Sequence, residues 1–252
     1  MFNYCDPDAN TFDSVVKFKN FVDIDKEYIK LDNDVGYWVF DTPFLDNISF
    51  HKFRSTVSNF PICKNNNLDS NNDPNPFDTI HIPAWLHKDI CFILRDFYFS
   101  EINNQVQDPS IFEWGNIFFS GKSRPIKAYR IPHRDYDNGI VGNLWFTNHK
   151  KGTSGTKFYK YIGNNINGEY EFVVNPSHKC YDDYQDLLKQ GRNSKWFNFD
   201  DSELHRWGFE YLGMADSIEN TMTVYKSNIC HLAYIEDEVK FRWSHTFAFA
   251  HR

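Results

Sequence analysis

The sequence has no run of lysine or arginine, no C-x-x-C pair, no internal repeat, and no apolar stretch near the ~20 residues that a membrane helix needs. Each absence excludes something. Lysine and arginine number 27 against 34 acidic residues, a formal net charge of -7. Nucleic-acid binders usually carry a basic face, so a duplex partner is not indicated. The five cysteines (Cys5, Cys63, Cys91, Cys180 and Cys230) are odd in number, which argues against a disulfide framework and against a thiolate zinc site. Free thiols in a reducing compartment are expected instead. Met1 to Asp13 has neither a basic region nor an apolar run, so no secretory leader is expected, and the chain reads as soluble and cytoplasmic. No Walker loop, G-x-S-x-G elbow or dinucleotide-binding glycine fingerprint occurs.

What the chain has in quantity is aromatic side chains. Of 252 residues, 25 are Phe, 14 Tyr and 7 Trp. Phe and Tyr favour strands, so a mainly β fold is expected, and the length suits a single domain over 1–252. Phe18–Ile24 and Gly36–Phe40 read as short strands, and Phe44–Val57 as including a short helix. Asn65 to Asp78, rich in Asn, Asp and Pro, reads as a loop. Pro83 then opens a helical spacing at Leu86, Ile90, Ile93, Leu94 and Phe97. From about Phe112 the pattern turns to short runs: Asn116–Phe119, Ile126–Ile131, Gly142–Thr147, Lys157–Tyr161, Tyr170–Val174, Thr221–Tyr225, Ile229–Tyr234 and Arg242–Ala250. Short strands between turn residues predict a sandwich or barrel over 112–252, with 1–111 as a supporting N-terminal extension. Pro176–Ser217 is polar and reads as an insertion with a helix at Tyr181–Gln190.

Two H-x-D triplets occur among the ten histidines, and with Asp at about one residue in ten such a triplet is near chance frequency. His87 and Asp89 fall in the expected helix, where i and i+2 point about 200° apart and cannot share an ion. His133 and Asp135 follow an expected strand, where i and i+2 share a face together with Tyr129 and Ile131. Two imidazoles and one carboxylate on one side of a metal, with open positions opposite, is the arrangement of non-haem iron(II) oxygenases. His231, in the Ile229–Tyr234 run, is the candidate third ligand, although a histidine in an apolar strand is more often a satisfied core residue. In the last strand, Phe241, Trp243, His245, Phe247 and Phe249 form a bulky face. Arg242, Ser244, Thr246 and Ala248 form a small polar one. An arginine at the rim of such a face could grip a carboxylate bidentately, or could equally pair with an acidic residue of the same chain.

His133-Arg134-Asp135, then His231, then Arg242-Trp243-Ser244 resembles the iron(II)/2-oxoglutarate-dependent dioxygenase superfamily. Gly142-Asn143-Leu144-Trp145-Phe146 followed by Gly155-Thr156-Lys157-Phe158-Tyr159 is similar to its prolyl-hydroxylase-like branch. The resemblance covers roughly 112–252. It implies a double-stranded β-helix, or jelly roll, with flanking helices. His133, Asp135 and His231 would bind Fe(II), and Arg242 and Ser244 would hold the distal carboxylate of 2-oxoglutarate. Tyr129 and Asn143 are candidates for the co-substrate's surroundings, or for packing. The reaction implied consumes O₂ and releases succinate while hydroxylating a C–H bond. The substrate could be an amino acid, a small metabolite or a protein side chain. Halogenating relatives lack the carboxylate that Asp135 supplies. Prolyl hydroxylases carry Lys where Arg242 stands, so prolyl preference is not implied.

Two other readings stay open. One is a cupin-like metal-binding jelly roll, an isomerase or dioxygenase that does not use 2-oxoglutarate. The other is a non-enzymatic β-sandwich binding module. His149, His178, His205, His245 and His251 read as surface or packing residues, and Trp207, Phe209 and Tyr211 as either pocket lining or loop anchors. The sequence does not indicate an oligomeric state.

Overall fold

The computed structural model describes residues 15–33, 35–59, 62–63, 78–80, 84–102, 112–114, 119–121, 132, 134, 139–162, 200–206, 209–236, 239 and 242–251. Among them the chain is mainly β, with two antiparallel sheets and few helices, an arrangement compatible with a β-sandwich. No helix among the described residues is long and apolar enough to cross a membrane.

The chain enters through a hairpin, β1 (Lys26–Lys30) and β2 (Gly36–Phe40). β1 is an edge strand, and its Lys26, Glu27 and Lys30 put charge where an apolar edge would invite pairing with another chain. The expected strand at Phe18–Ile24 does not form. Phe18 makes an isolated bridge to Phe44, and Phe21–Asp23 is a 3-10 turn. The Asp23 N–H donates to the Asn20 carbonyl at 2.9 Å and the Ile24 N–H to the Phe21 carbonyl at 3.3 Å, turn bonds that take up backbone groups a ladder would use. The Phe18 and Phe21 rings pack against Phe44 and Phe97 instead of alternating between faces.

Helix α1 (Asn47–Ser58) starts at Asp46, whose carboxylate accepts from the Ser49 amide at 2.7 Å. It buries Phe50, Phe53 and Val57, spaced for one face. Helix α2 (Ala84–Phe97) buries Ile90, Ile93, Leu94 and Phe97 and ends in a π turn over Tyr98–Ile102. His87 and Asp89 both fall in α2, in line with the helical spacing that separates them.

The larger sheet also holds β3 (Ile62–Cys63), β4 (Asp78–Ile80), β5 (Phe112–Trp114), β6 (Phe119–Gly121), β7 (Gly139–Trp145), β10 (Met222–Lys226) and β12 (Ser244–His251). Its order is β1-β2-β10-β7-β12-β6-β4-β3, with β5 also on β12. The smaller sheet is β11 (Cys230–Ile235), β8 (Ser154–Tyr161) and β9 (Phe209–Asp216), in that order.

Strand bounds differ from expectation by one to three residues in β7, β8, β10, β11 and β12, where pairing rather than composition sets the ends. Arg242 and Trp243 precede β12 rather than lying in it. The larger correction is at Pro176–Ser217. Its last part forms the strand β9, preceded by a short helix α3 (Asp201–Arg206), which a polar loop reading did not foresee. β9 has a weak alternation because Gly213, at φ 159°, sits beside a bulge opposite Phe158/Tyr159. A Cβ at Gly213 would lie 2.6 Å from Leu31. The expected elements at Ile126–Ile131, Tyr170–Val174 and Tyr181–Gln190 lie outside the described residues.

The larger sheet has two unlike faces. Toward α1 and α2 it presents Phe40, Ile140, Leu144, Met222, Val224 and Phe247, which form one apolar cluster with Phe50, Phe53 and Phe97. Gly142 lies on that side, and a Cβ there would run into the Phe247 ring. The opposite face looks at the smaller sheet, and there Tyr37, Val141 and Tyr225 pack with Phe158 and Ala215.

Candidate functional site

Along β7 the inward face changes character in four residues. Val141 belongs to the apolar filling between the sheets, Asn143 is polar and buried, and Trp145 is an aromatic with a hydrogen-bonding edge. Asn143 lies directly opposite Thr223 on β10 and Thr246 on β12. Directly paired residues share a face, so the three form a row across the sheet. The Thr246 hydroxyl donates to Asn143 Oδ1 at 2.7 Å. The Trp145 indole N–H donates to Thr223 Oγ1 at 3.0 Å. Ser244, fully buried, is in register with Trp145.

Arg242 stands at the polar end of this face, only 4% exposed. Its Nη1 donates to the Gly155 carbonyl at 2.9 Å, tying the larger sheet to β8 of the smaller one. Its guanidinium carbon is 5.4 Å from the centre of the Trp145 ring. The backbone beside it is stitched down, because Phe146 N–H donates to the Trp243 carbonyl and Trp243 N–H to Thr147 Oγ1.

His231 is buried on β11, directly opposite Phe158 and therefore on the inward face. Its ring centre lies 4.7 Å from that of Tyr225. Nδ1 is 2.9 Å from the Ile229 carbonyl oxygen. A carbonyl only accepts, so Nδ1–H is the donor in this contact, and Nε2 is the nitrogen that would meet a metal. An Nδ1–H held by a backbone carbonyl is the usual support of a metal-ligating imidazole.

His231 and Arg242 mark two levels of one inter-sheet space. On β8, His231 is level with Phe158, and Arg242 bonds at Gly155. Thr156, two residues from Phe158 and so about 6.7 Å away along the strand, is buried on the same inward face. Asn143, Thr223 and Thr246 line the opposite wall.

Of the expected site residues, the structure therefore brings His231, Arg242, Ser244 and Asn143 to the same inward side. His133, Asp135 and Tyr129 lie outside the described residues. Arg134, between the first two in sequence, is half-buried, and its charge acts on the Cys230 thiol. Burial pushes that thiol strongly up, and Arg134 offsets part of the rise. Cys230 is the residue before His231. Among the described residues no group of three or more metal-ligating side chains occurs, and of the three expected ligands only His231 is described.

Sequence reasoning missed Thr223, Trp145 and Thr156. Their polar atoms looked like ordinary strand composition, and only the registers of β10, β7 and β8 put them on the inward face. It also missed a cluster on the outer side of the smaller sheet. Lys157 Nζ is 2.8 Å from Asp201 Oδ2, and the Tyr159 hydroxyl donates to Asp201 Oδ1 at 2.8 Å. Lys157 also sits 3.9 Å from the centre of the Tyr234 ring. Burial, then Asp201, raises the Tyr159 hydroxyl, and burial with Glu236 pushes Tyr234 up to about 12. These bonds clamp α3 onto the sheet. Tyr211, Tyr234 and Lys157 line a cavity of about 290 Å³ there, whereas Phe209 is buried against Tyr161. Trp207 lies outside the described residues. A larger open groove, about 600 Å³, runs between 16–21 and α2, on the helix side of the larger sheet. No protein-family model matches the chain, and no curated protein sequence matches it significantly.

Proposed function

We propose that this chain is an iron(II)- and 2-oxoglutarate-dependent oxygenase on a jelly-roll fold, hydroxylating a C–H bond of an amino acid, small metabolite or protein side chain. The winding supports the fold. From β7 to β12 the chain passes from the larger sheet to the smaller one for β8 and β9, returns for β10, crosses to the smaller sheet for β11 and comes back to the larger one for β12.

The observation that carries the reading is the imidazole of His231. It is buried, faces inward, and is fixed with its Nδ1–H on a carbonyl, one strand level from a polar wall that ends at a buried arginine. The donor set suits the group. His231, with His133 and Asp135, would hold Fe(II), and Arg242 with Ser244 would take the far carboxylate of 2-oxoglutarate. The levels of His231 and Arg242 along β8 suit a short dicarboxylate laid between them. Bound iron and co-substrate would supply the O₂-dependent oxidation, releasing succinate and CO₂ as one oxygen atom enters the substrate. The protein's part is to orient and to keep water out. The Ile229 carbonyl sets the His231 ring, Trp145 and Gly155 fix the guanidinium, and the Asn143–Thr246 bond pins the wall.

The test is an anaerobic titration with Fe(II) and then 2-oxoglutarate. A visible metal-to-ligand band and succinate release on admitting air are expected. Absence of both overturns the reading. The Arg242–Gly155 bond favours a second reading, a metal-binding jelly roll without 2-oxoglutarate, in which Arg242 only ties the sheets together. Full activity in an Arg242→Met variant would select that one.

A further inference from the structure

The outer face of the smaller sheet carries a cluster that the proposed oxidation does not use. Directly paired residues share a face, so Lys157 lies with Met214, and Tyr159 with Tyr211, on the side away from Phe158 and His231. Tyr234 of β11 shares that side. The cavity of about 290 Å³ there is lined by Tyr211, Tyr234, Met214, Lys157, Asp216 and Lys151.

One ammonium group is already held at this place. Lys157 Nζ lies 3.9 Å from the centre of the Tyr234 ring and 5.1 Å from that of Tyr211. Both oxygens of Asp201 accept from it, at 2.8 and 3.1 Å. Ring faces and a carboxylate are the groups that hold an organic cation. Lys157 is neutralised by Asp201, so it offers little charge to a second ligand.

Asp216 is placed differently. It is half-buried, and its Oδ1 accepts from the Gly152 amide at 2.7 Å. Among the described residues it has no ion pair. Lys151, the other charged group of the lining, is exposed, where solvent and salt screen its charge. Glu236 stands beside the cavity, half-buried, and accepts from the Tyr234 hydroxyl at 3.2 Å. Three carboxylates (Asp201, Asp216 and Glu236) thus face two ammonium groups (Lys157 and Lys151). Burial first, then the charges of Asp201 and Asp216, push the Tyr211 hydroxyl up, in keeping with a negative potential there. An anion entering the cavity would meet two ring faces and Asp216, all of which repel it. A cation meets the same groups favourably.

We propose that this cavity binds an organic cation, an alkylammonium or guanidinium group that pairs with Asp216 and lies against Tyr211 and Met214. The lysine or arginine side chain of another molecule and a free amine share that chemistry. The site goes beyond the oxygenase reading and does not depend on it, because its side chains lie on the other face of the smaller sheet from His231.

The test measures binding to the full chain by calorimetry, without added metal. N-acetyl-arginine amide and spermidine are the probes, and acetate is the anionic control. At least one cation is expected to bind, and the tighter of the two names the source. Asp216→Asn keeps an oxygen for the Gly152 amide and removes the charge, so affinity should fall by about tenfold or more. Tyr211→Leu should lose about two- to fivefold. Lys151→Ala should bind the cation as well as the parent does, or better. In the parent, the ring protons of Tyr211 and Tyr234, followed by NMR, should shift with the cation and stay still with acetate. Absence of binding by both cations at millimolar probe overturns the inference. Binding that survives Asp216→Asn is general attraction to an acidic protein and also overturns it. So does acetate binding that Lys151→Ala removes. None of these outcomes touches the iron reading.

Discussion

The two faces of the larger sheet share the same strands and have opposite compositions. On the helix side, β7, β10 and β12 contribute Ile140, Leu144, Met222, Val224 and Phe247 to one apolar cluster. On the inward side the same strands contribute Asn143, Trp145, Thr223, Ser244 and Thr246, with Arg242 just before β12. A protein that needed only stability would fill both sides with apolar groups, since a buried polar group without a partner is costly. The inward face instead keeps its polar groups and satisfies them in pairs, Thr246 to Asn143 and Trp145 to Thr223. The two faces thus differ in chemistry, one apolar and cohesive and the other polar and bonded within itself.

Substitutions on each side can break that division. Phe53→Ala, on α1 against Phe44 and Phe146, should cost about 3–5 kcal/mol, read by denaturant unfolding. Iron affinity per folded molecule should be unaffected by it. His231→Ala should do the reverse. Succinate release should fall by more than the roughly hundredfold seen when a ligand's supporting partner is removed, with a much smaller change in the unfolding midpoint. If His231→Ala instead destabilises as much as Phe53→Ala and leaves metal binding intact, His231 is a core residue and the comparison fails. Gly142→Ala, which would push a methyl into the Phe247 ring, should cost about 1–3 kcal/mol and belong with the first group. Thr246→Val removes the donor to Asn143 and leaves that amide oxygen buried, at about 1–3 kcal/mol. It should also weaken 2-oxoglutarate binding if the inward wall faces the co-substrate.

The smallest effect is at an exposed helix cap. Asp46 caps α1, and its hydrogen bonds from Ser49, backbone first, hold its carboxyl below the usual carboxylate range. A depressed acid stabilises the fold above its unfolded pKa of about 3.9 and loses that contribution as pH falls below it. Asp46→Ala should therefore lower the midpoint slightly at pH 7, and the difference from the parent should shrink in acid thermal scans.

The inward placement of several candidate residues was legible because strand parity is local. Arg242 and Ser244 are two apart, and the small polar residues of the last strand announced an unusual face. Asn143 and His231 were singled out as candidates through the resemblance and through spacing, and both face inward. Thr223 and Trp145 were not, because their role depends on which strand lies beside β7, and nothing nearby in sequence states that. The strand β9 was hidden for the same reason, since Gly213 and a bulge erase its alternation while pairing with β8 preserves it. The expected strand at Phe18–Ile24 failed in the opposite way: its composition fitted a strand, but the Asn20–Asp23 backbone bond and ring packing on Phe44 and Phe97 won.

The sequence by itself determined the β character, the helical spacing of α1 and α2, and the alternation that separates a bulky face from a polar one. These depend on residues a few positions apart. Tertiary structure alone decided that Arg242 reaches the Gly155 carbonyl, that Thr223 and Thr246 flank Asn143, and that His231 looks into the space between the sheets. Those facts join residues 78 to 103 positions apart, such as Trp145 with Thr223 and Asn143 with Thr246, and only the pairing register brings them together.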